Sequence, residues 1–127
     1  MRLTSIMNTS VEVIGPQASV ATAARRLRGK DIHHLVVVDR GVIVGLLTHQ
    51  TLRNRTEEGA TRVEDAMLRN IRLATPETTV RDAAALMSPG HAQTALPIVR
   101  NGRLVGIVTV SDLLELATKA DVHSHAS

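Results

Sequence analysis

A sequence that repeats itself limits its own fold more than any single motif does. With a shift of 60, Met7 falls on Met67, Val20 on Val80, Ala23 on Ala83, Ala24 on Ala84 and Leu27 on Met87. One added residue moves the shift to 61, and then Leu35 falls on Leu96, Val38 on Val99, Gly45 on Gly106, Thr48 on Thr109 and Leu52 on Leu113. Two copies of one supersecondary unit thus fill nearly the whole chain of 127 residues. Two are too few for a solenoid, so the copies must bury their faces on each other. The boundaries read as a first copy over 1–56, a polar connector over 57–61, a second copy over 62–118 and a flexible C-terminal tail over 119–127. Both copies together are expected to form one globular domain.

Each copy reads in the same order. A short strand, Val11 to Ile14 or Ile71 to Ala74, runs into a turn at Pro16 or Pro76. A helix follows, with Val20, Ala23, Ala24 and Leu27 at i, i+3, i+4 and i+7 on one face. In the second copy Thr79 is placed as an N-cap, with Asp82 three residues on in a capping-box arrangement. Two apolar runs then meet across a tight turn at Arg40-Gly41 or at Asn101-Gly102-Arg103, and Asn-Gly is the strongest short hairpin signal. The runs are β-branched and apolar on both faces, which predicts buried strands. Pro97 cannot donate to a ladder and so belongs near a strand start or an edge. A closing helix spans Thr51 to about Arg55, and its counterpart Asp112 to about Lys119. The result is an α+β fold, strand–helix–strand–strand–helix, twice.

Composition removes several function classes. The chain has no Phe, Trp or Tyr and no Cys. Aromatic platforms for stacking bases are therefore absent, and so are disulfides, thiolate nucleophiles and Cys-held metal centres. The core must come from Val, Leu, Ile, Ala and Met, within a hydrophobic fraction of 43%. No apolar run reaches the length of a membrane span, and the start, Met1 to Asn8, is too polar for a signal peptide; a cytoplasmic protein is expected. Fifteen basic residues against twelve acidic ones give a net charge of +3. The one basic cluster, Arg25, Arg26, Arg28 and Lys30, reads as a solvated helix face rather than a nucleic-acid surface. No nucleophile elbow, HExxH, Walker loop or GxGxxG is present. His123 and His125 have a ligand-like spacing but lie in the tail, which reads as frayed. Neither an enzyme, nor a metal site, nor a resident cofactor is expected.

Two tandem copies of this unit, each ending in Gly, two apolar residues, Thr and a helix, resemble a pair of CBS domains (cystathionine-β-synthase-type domains). The resemblance runs from about Ser5 to Leu116 and rests on the duplication, on His33 to Asp39 and on Leu104 to Leu114. It implies two copies packed through their sheets around a pseudo-twofold axis, with two clefts that in many members bind adenosine-type ligands, and a small stand-alone CBS-domain protein. In that family the last strand ends in Thr or Ser, two residues, then Asp. Thr109 to Asp112 fits this pattern, whereas Thr51 stands where the acid of the first copy should be.

The chemistry agrees with one competent cleft. A carboxylate accepts both hydroxyls of a ribose diol, and charge-assisted hydrogen bonds contribute about 1.5–3 kcal/mol each. Thr51 offers one uncharged oxygen, so the cleft around Thr48 and Thr51 is expected to be degenerate. Thr109 would meet the α-phosphate at the start of the final helix. By the resemblance, His33 and His34 reach the phosphate from the other copy, though adjacent strand side chains point to opposite faces and only one would meet it. The base is expected among Ile71, Thr75, Ala95, Leu96 and Pro97. The reading is a regulatory module sensing AMP, ADP, ATP or a related adenosine compound. It is expected to signal through altered association, as a homodimer or with an effector protein. The alternative is a ligand-free structural or oligomerisation module.

Overall fold

The computed structural model describes residues 1–29, 32–87 and 93–126, with the side chains of the last helix followed as far as Thr118. It divides into two compact units whose cuts fall after Thr9 and after Ile71. The first unit is Ser10–Ile71; the second joins Met1–Thr9 to the chain from Arg72 onward. Packing units and sequence copies therefore differ by a short segment at the head of each copy.

In the first unit, strand β1 (Val13–Ile14) leads to helix α1 (Val20–Gly29), then β2 (His34–Asp39), β3 (Val42–Thr48), α2 (His49–Glu57) and the short α3 (Val63–Ala66). Ser19 caps α1, its hydroxyl accepting the Thr22 N–H at 3.0 Å. The expected helical stripe buries Ala23 and Leu27. The sheet order is β1-β2-β3, with β1 parallel and β3 antiparallel to β2. Leu35, Val37 and Leu47 pack with Ile14, Ala23, Leu27 and Leu52 in one core cluster, which α3 closes with Val63 and Ala66. Val36 and Leu46, opposite each other in register, are also fully buried. The strands are thus buried as their apolar runs predict.

In the second unit a single 3-10 turn, Leu3–Ser5, precedes helix α4 (Val80–Leu86), strands β4 (Ala95–Arg100) and β5 (Arg103–Thr109), and helix α5 (Val110–Ala126). Thr79 caps α4 as expected, accepting the Asp82 N–H at 3.1 Å. Leu3 is buried with Leu96, Ile98, Val108 and Ala83 in the core of this unit. Both hairpins turn on two residues with positive φ, Arg40-Gly41 and Asn101-Gly102, the signature of a type I′ turn. Arg103, expected in the turn, is the first residue of β5 and pairs with Arg100.

The expected strand Ile71–Ala74 is not formed. What remains is one parallel bridge, Ala74 to Ile98. Pro97 supplies the reason. In the first copy the Val36 N–H donates to the Glu12 carbonyl at 3.1 Å; Pro97 stands at the matching place and has no N–H. Gln93 takes over that role. Its amide donates to the Arg72 carbonyl at 2.8 Å, and its oxygen accepts the Arg72 N–H at 2.9 Å. A side chain thus makes the ladder bonds that the proline removes, and Gln93 is 4% exposed.

The repeat also places Met7 on Met67, and both methionines have the same task. Met67 lies against Gly45, and Met7 against Gly106. Beside them the chain crosses the second strand of each hairpin. Leu46 and Leu68 exchange backbone hydrogen bonds at 3.1 and 2.8 Å, and Asn8 and Ile107 do so at 2.9 Å each way. The two glycines therefore admit a crossing chain. A Cβ on Gly45 would stand 2.9 Å from the Leu68 carbonyl oxygen, which the bridge holds in place; one on Gly106 would stand 3.2 Å from that of Asn8. Gly45→Ala is expected to cost about 1–3 kcal/mol by overpacking and Gly106→Ala less. Urea denaturation of the two variants checks that order.

Candidate functional site

Thr109 closes β5 and Asp112 sits in the first turn of α5. The two grip each other. The Thr109 N–H donates to Asp112 Oδ2 at 2.9 Å, and the Asp112 N–H donates to Thr109 Oγ1 at 3.1 Å. This is a capping box, satisfying free N–H groups at a helix start. It engages one carboxylate oxygen of the two that Asp112 carries, and the side chain is half-buried.

The first unit builds the same device without a charge. The Thr51 N–H donates to Thr48 Oγ1 at 3.1 Å, and the Thr48 N–H donates to Thr51 Oγ1 at 2.9 Å. A threonine is therefore enough to complete the box. The carboxylate of Asp112 exceeds what capping requires.

Around Thr109 the register brings Ala95 directly opposite and Leu96 opposite Val108. Ala95, Leu96 and Pro97 are all buried, and Leu96 is part of the core. Its side chain packs inward rather than offering a surface to a base. The Ala95 carbonyl accepts from Gln93 Nε2 at 3.0 Å, so Gln93, which the sequence reading did not single out, shapes this end of β4. Thr75 is exposed and hydrogen-bonded to Thr78. The bridge from Ala74 to Ile98 sets Thr75 level with Val99, four residues along β4 from Ala95, or roughly 13 Å at the usual rise. The structure does not gather Thr75 with Thr109 and Asp112.

The remaining expected residues, His33, His34, Ile71, Thr48 and Thr51, belong to the first unit. His34 opens β2 and pairs with Thr48. The next pair outward is His33 and His49, whose rings meet edge to face with centroids 5.8 Å apart. The imidazole pair is thus His33 with His49, across the hairpin rather than along the chain. The register of that hairpin was the signal that could have found it. Among the described residues no three His, Cys, Asp or Glu side chains gather as metal ligands. His123 and His125 lie outside the residues whose side chains are described. Among the described residues no helix is long and apolar enough to cross a membrane.

A duplicated helix–hairpin–helix unit, with a Thr-capped helix after each last strand, defines a tandem α+β module. The CBS domain model matches residues 3–58 and again residues 63–119, and the chain belongs to the CBS domain family as a tandem pair. Such a pair is a regulatory module. The chain is 32% identical over 111 residues to the CBS domain-containing protein YhcV of Bacillus subtilis, covering 84% of this chain and 79% of that one. Among solved structures it is similar to the CBS domain pair of protein MJ0100 in complex with 5′-methylthioadenosine and S-adenosyl-L-methionine. That match has a TM-score of 0.88 and 27% identity, and covers 94% of this chain and 98% of the other. CBSX2 in complex with AMP shares the fold, with a TM-score of 0.80 at 24% identity, covering 94% and 98% of the two chains.

Proposed function

We propose that this module binds one adenosine-type nucleotide, of the AMP, ADP or ATP class, with the Asp112 carboxylate holding the ribose diol and Thr109 beside the phosphate. The observation that carries the reading is the contrast between the two boxes. Thr48 and Thr51 cap a helix completely without charge, so Asp112 brings a carboxylate that the helix does not need. The adenosine compounds bound by the MJ0100 pair and the AMP bound by CBSX2 support the ligand class. The module acts without turnover, in the cytoplasm, by biasing which arrangement it offers to a partner. One partner is a second copy of the chain. On α5, Val110 and Leu113 pack on the core of their own unit, and Leu114 beside them is 63% exposed, an apolar side chain left for such a partner.

Calorimetric titration with AMP, ADP, ATP and S-adenosylmethionine tests the proposal. It expects saturable binding of at least one of them, at one site per chain. Absence of heat with all four overturns it. That outcome favours a ligand-free interaction module, a reading supported by the engagement of Asp112 in its cap and the burial of Leu96.

A further inference from the structure

We infer that the groove between α1 and α2 of the first unit is a second ligand site, for a small organic phosphate, that shares no residue with Thr109 and Asp112. The groove is open to solvent on one side and offers about 600 Å³, within the roughly 300–1,000 Å³ of small-molecule sites. Ala24 and Leu52 give it an apolar lining, and Arg28, His49 and Arg53 supply basic groups against the single acid Glu57.

Two observations separate these cations from ordinary surface charge. The first is their lack of partners. Arg25, Arg26, Arg55, Arg62 and Arg69 of the same unit each have a hydrogen-bond or ion-pair partner. Among the described residues Arg28, Arg53 and the hairpin-turn Arg40 have none, and of these three only Arg28 and Arg53 line the same groove. The second is the comparison the molecule makes with itself. The lining repeats in the second copy, where Ala84 and Leu113 match Ala24 and Leu52. The charges do not repeat: Ser88, Val110 and Leu114 stand in place of Arg28, His49 and Arg53. What the fold needs is retained in both copies, and the cations are an addition to one. Two guanidinium groups with no carboxylate partner suit a phosphate, which they bind through paired N–H donors, while an apolar body lies against the half-buried Ala24.

Calorimetric titration of the intact protein with phenyl phosphate, inorganic phosphate and phenol tests this. Phenyl phosphate is expected to bind once per chain, at least about tenfold more tightly than either fragment. Arg53→Leu, which installs the residue of the second copy, and Arg28→Gln are each expected to weaken it by about tenfold or more. Arg40→Gln, an arginine of the hairpin turn outside the groove, should leave it unchanged. Circular dichroism of the variants reports whether they fold. The proposal is overturned if phenol binds as well as phenyl phosphate, or if folded Arg53→Leu and Arg28→Gln variants bind like the parent. It is equally overturned if phenyl phosphate does not bind and Arg53→Leu shifts the sedimentation coefficient, which would assign the groove to contact between copies.

Discussion

Asp112→Thr lowers nucleotide affinity by about two orders of magnitude while the protein melts within a few degrees of the parent. The substitution copies the first unit, where Thr51 completes the box with Thr48 at 3.1 and 2.9 Å. It therefore keeps both capping hydrogen bonds and removes only the charge. The loss of a carboxylate from the helix start costs about 0.3–1 kcal/mol through the helix dipole. The loss of charge-assisted bonds to a diol amounts to roughly 3 kcal/mol, or about a hundredfold in affinity. Asp112→Ala would confound the two effects, because it also breaks the bond to the Thr109 N–H. Titration calorimetry beside thermal melting separates them. Equal affinity in parent and variant would mean that Asp112 is a cap and nothing more.

Gln93→Ala destabilises the second unit by about 2 kcal/mol, since it strips partners from the Arg72 N–H and carbonyl and from the Ala95 carbonyl. The effect depends on Pro97. In a Pro97→Val background a backbone N–H returns at the place where Val36 serves the first copy, and the Arg72 carbonyl regains a donor without the glutamine. The penalty for Gln93→Ala is expected to fall by about 1 kcal/mol there, a coupling that a double-mutant cycle in urea measures directly. An unchanged penalty would show that the glutamine acts through packing alone.

Features that depend on neighbours in sequence were legible. Thr79 as a cap, the Asn101-Gly102 turn and the α1 stripe of Val20, Ala23 and Leu27 each follow from residues a few places apart. The duplication added long-range information, and with it the equivalence of Thr51 and Asp112. What sequence reading could not see was non-local. Gln93 reaches Arg72 across 21 positions because of a donor missing at Pro97, and the strand expected at Ile71–Ala74 is lost for the same reason. The repeat aligns Gly45 with Gly106, but the chain that presses on them, at Met67 and Met7, comes from the opening segment of the other copy. The sequence sets His33 and His34 on opposite faces of a strand, but not the hairpin register that brings the His33 ring against that of His49.

The central claim concerns two hydroxyls and one carboxylate, and the most direct test removes each in turn. AMP and 2′-deoxy-AMP are titrated into the parent and into Asp112→Thr. The account predicts that the parent binds AMP at least about tenfold more tightly than the deoxy compound, and that the variant binds both alike. A parent indifferent to the missing hydroxyl, or a variant that still discriminates against it, would contradict the assignment of Asp112 to the ribose.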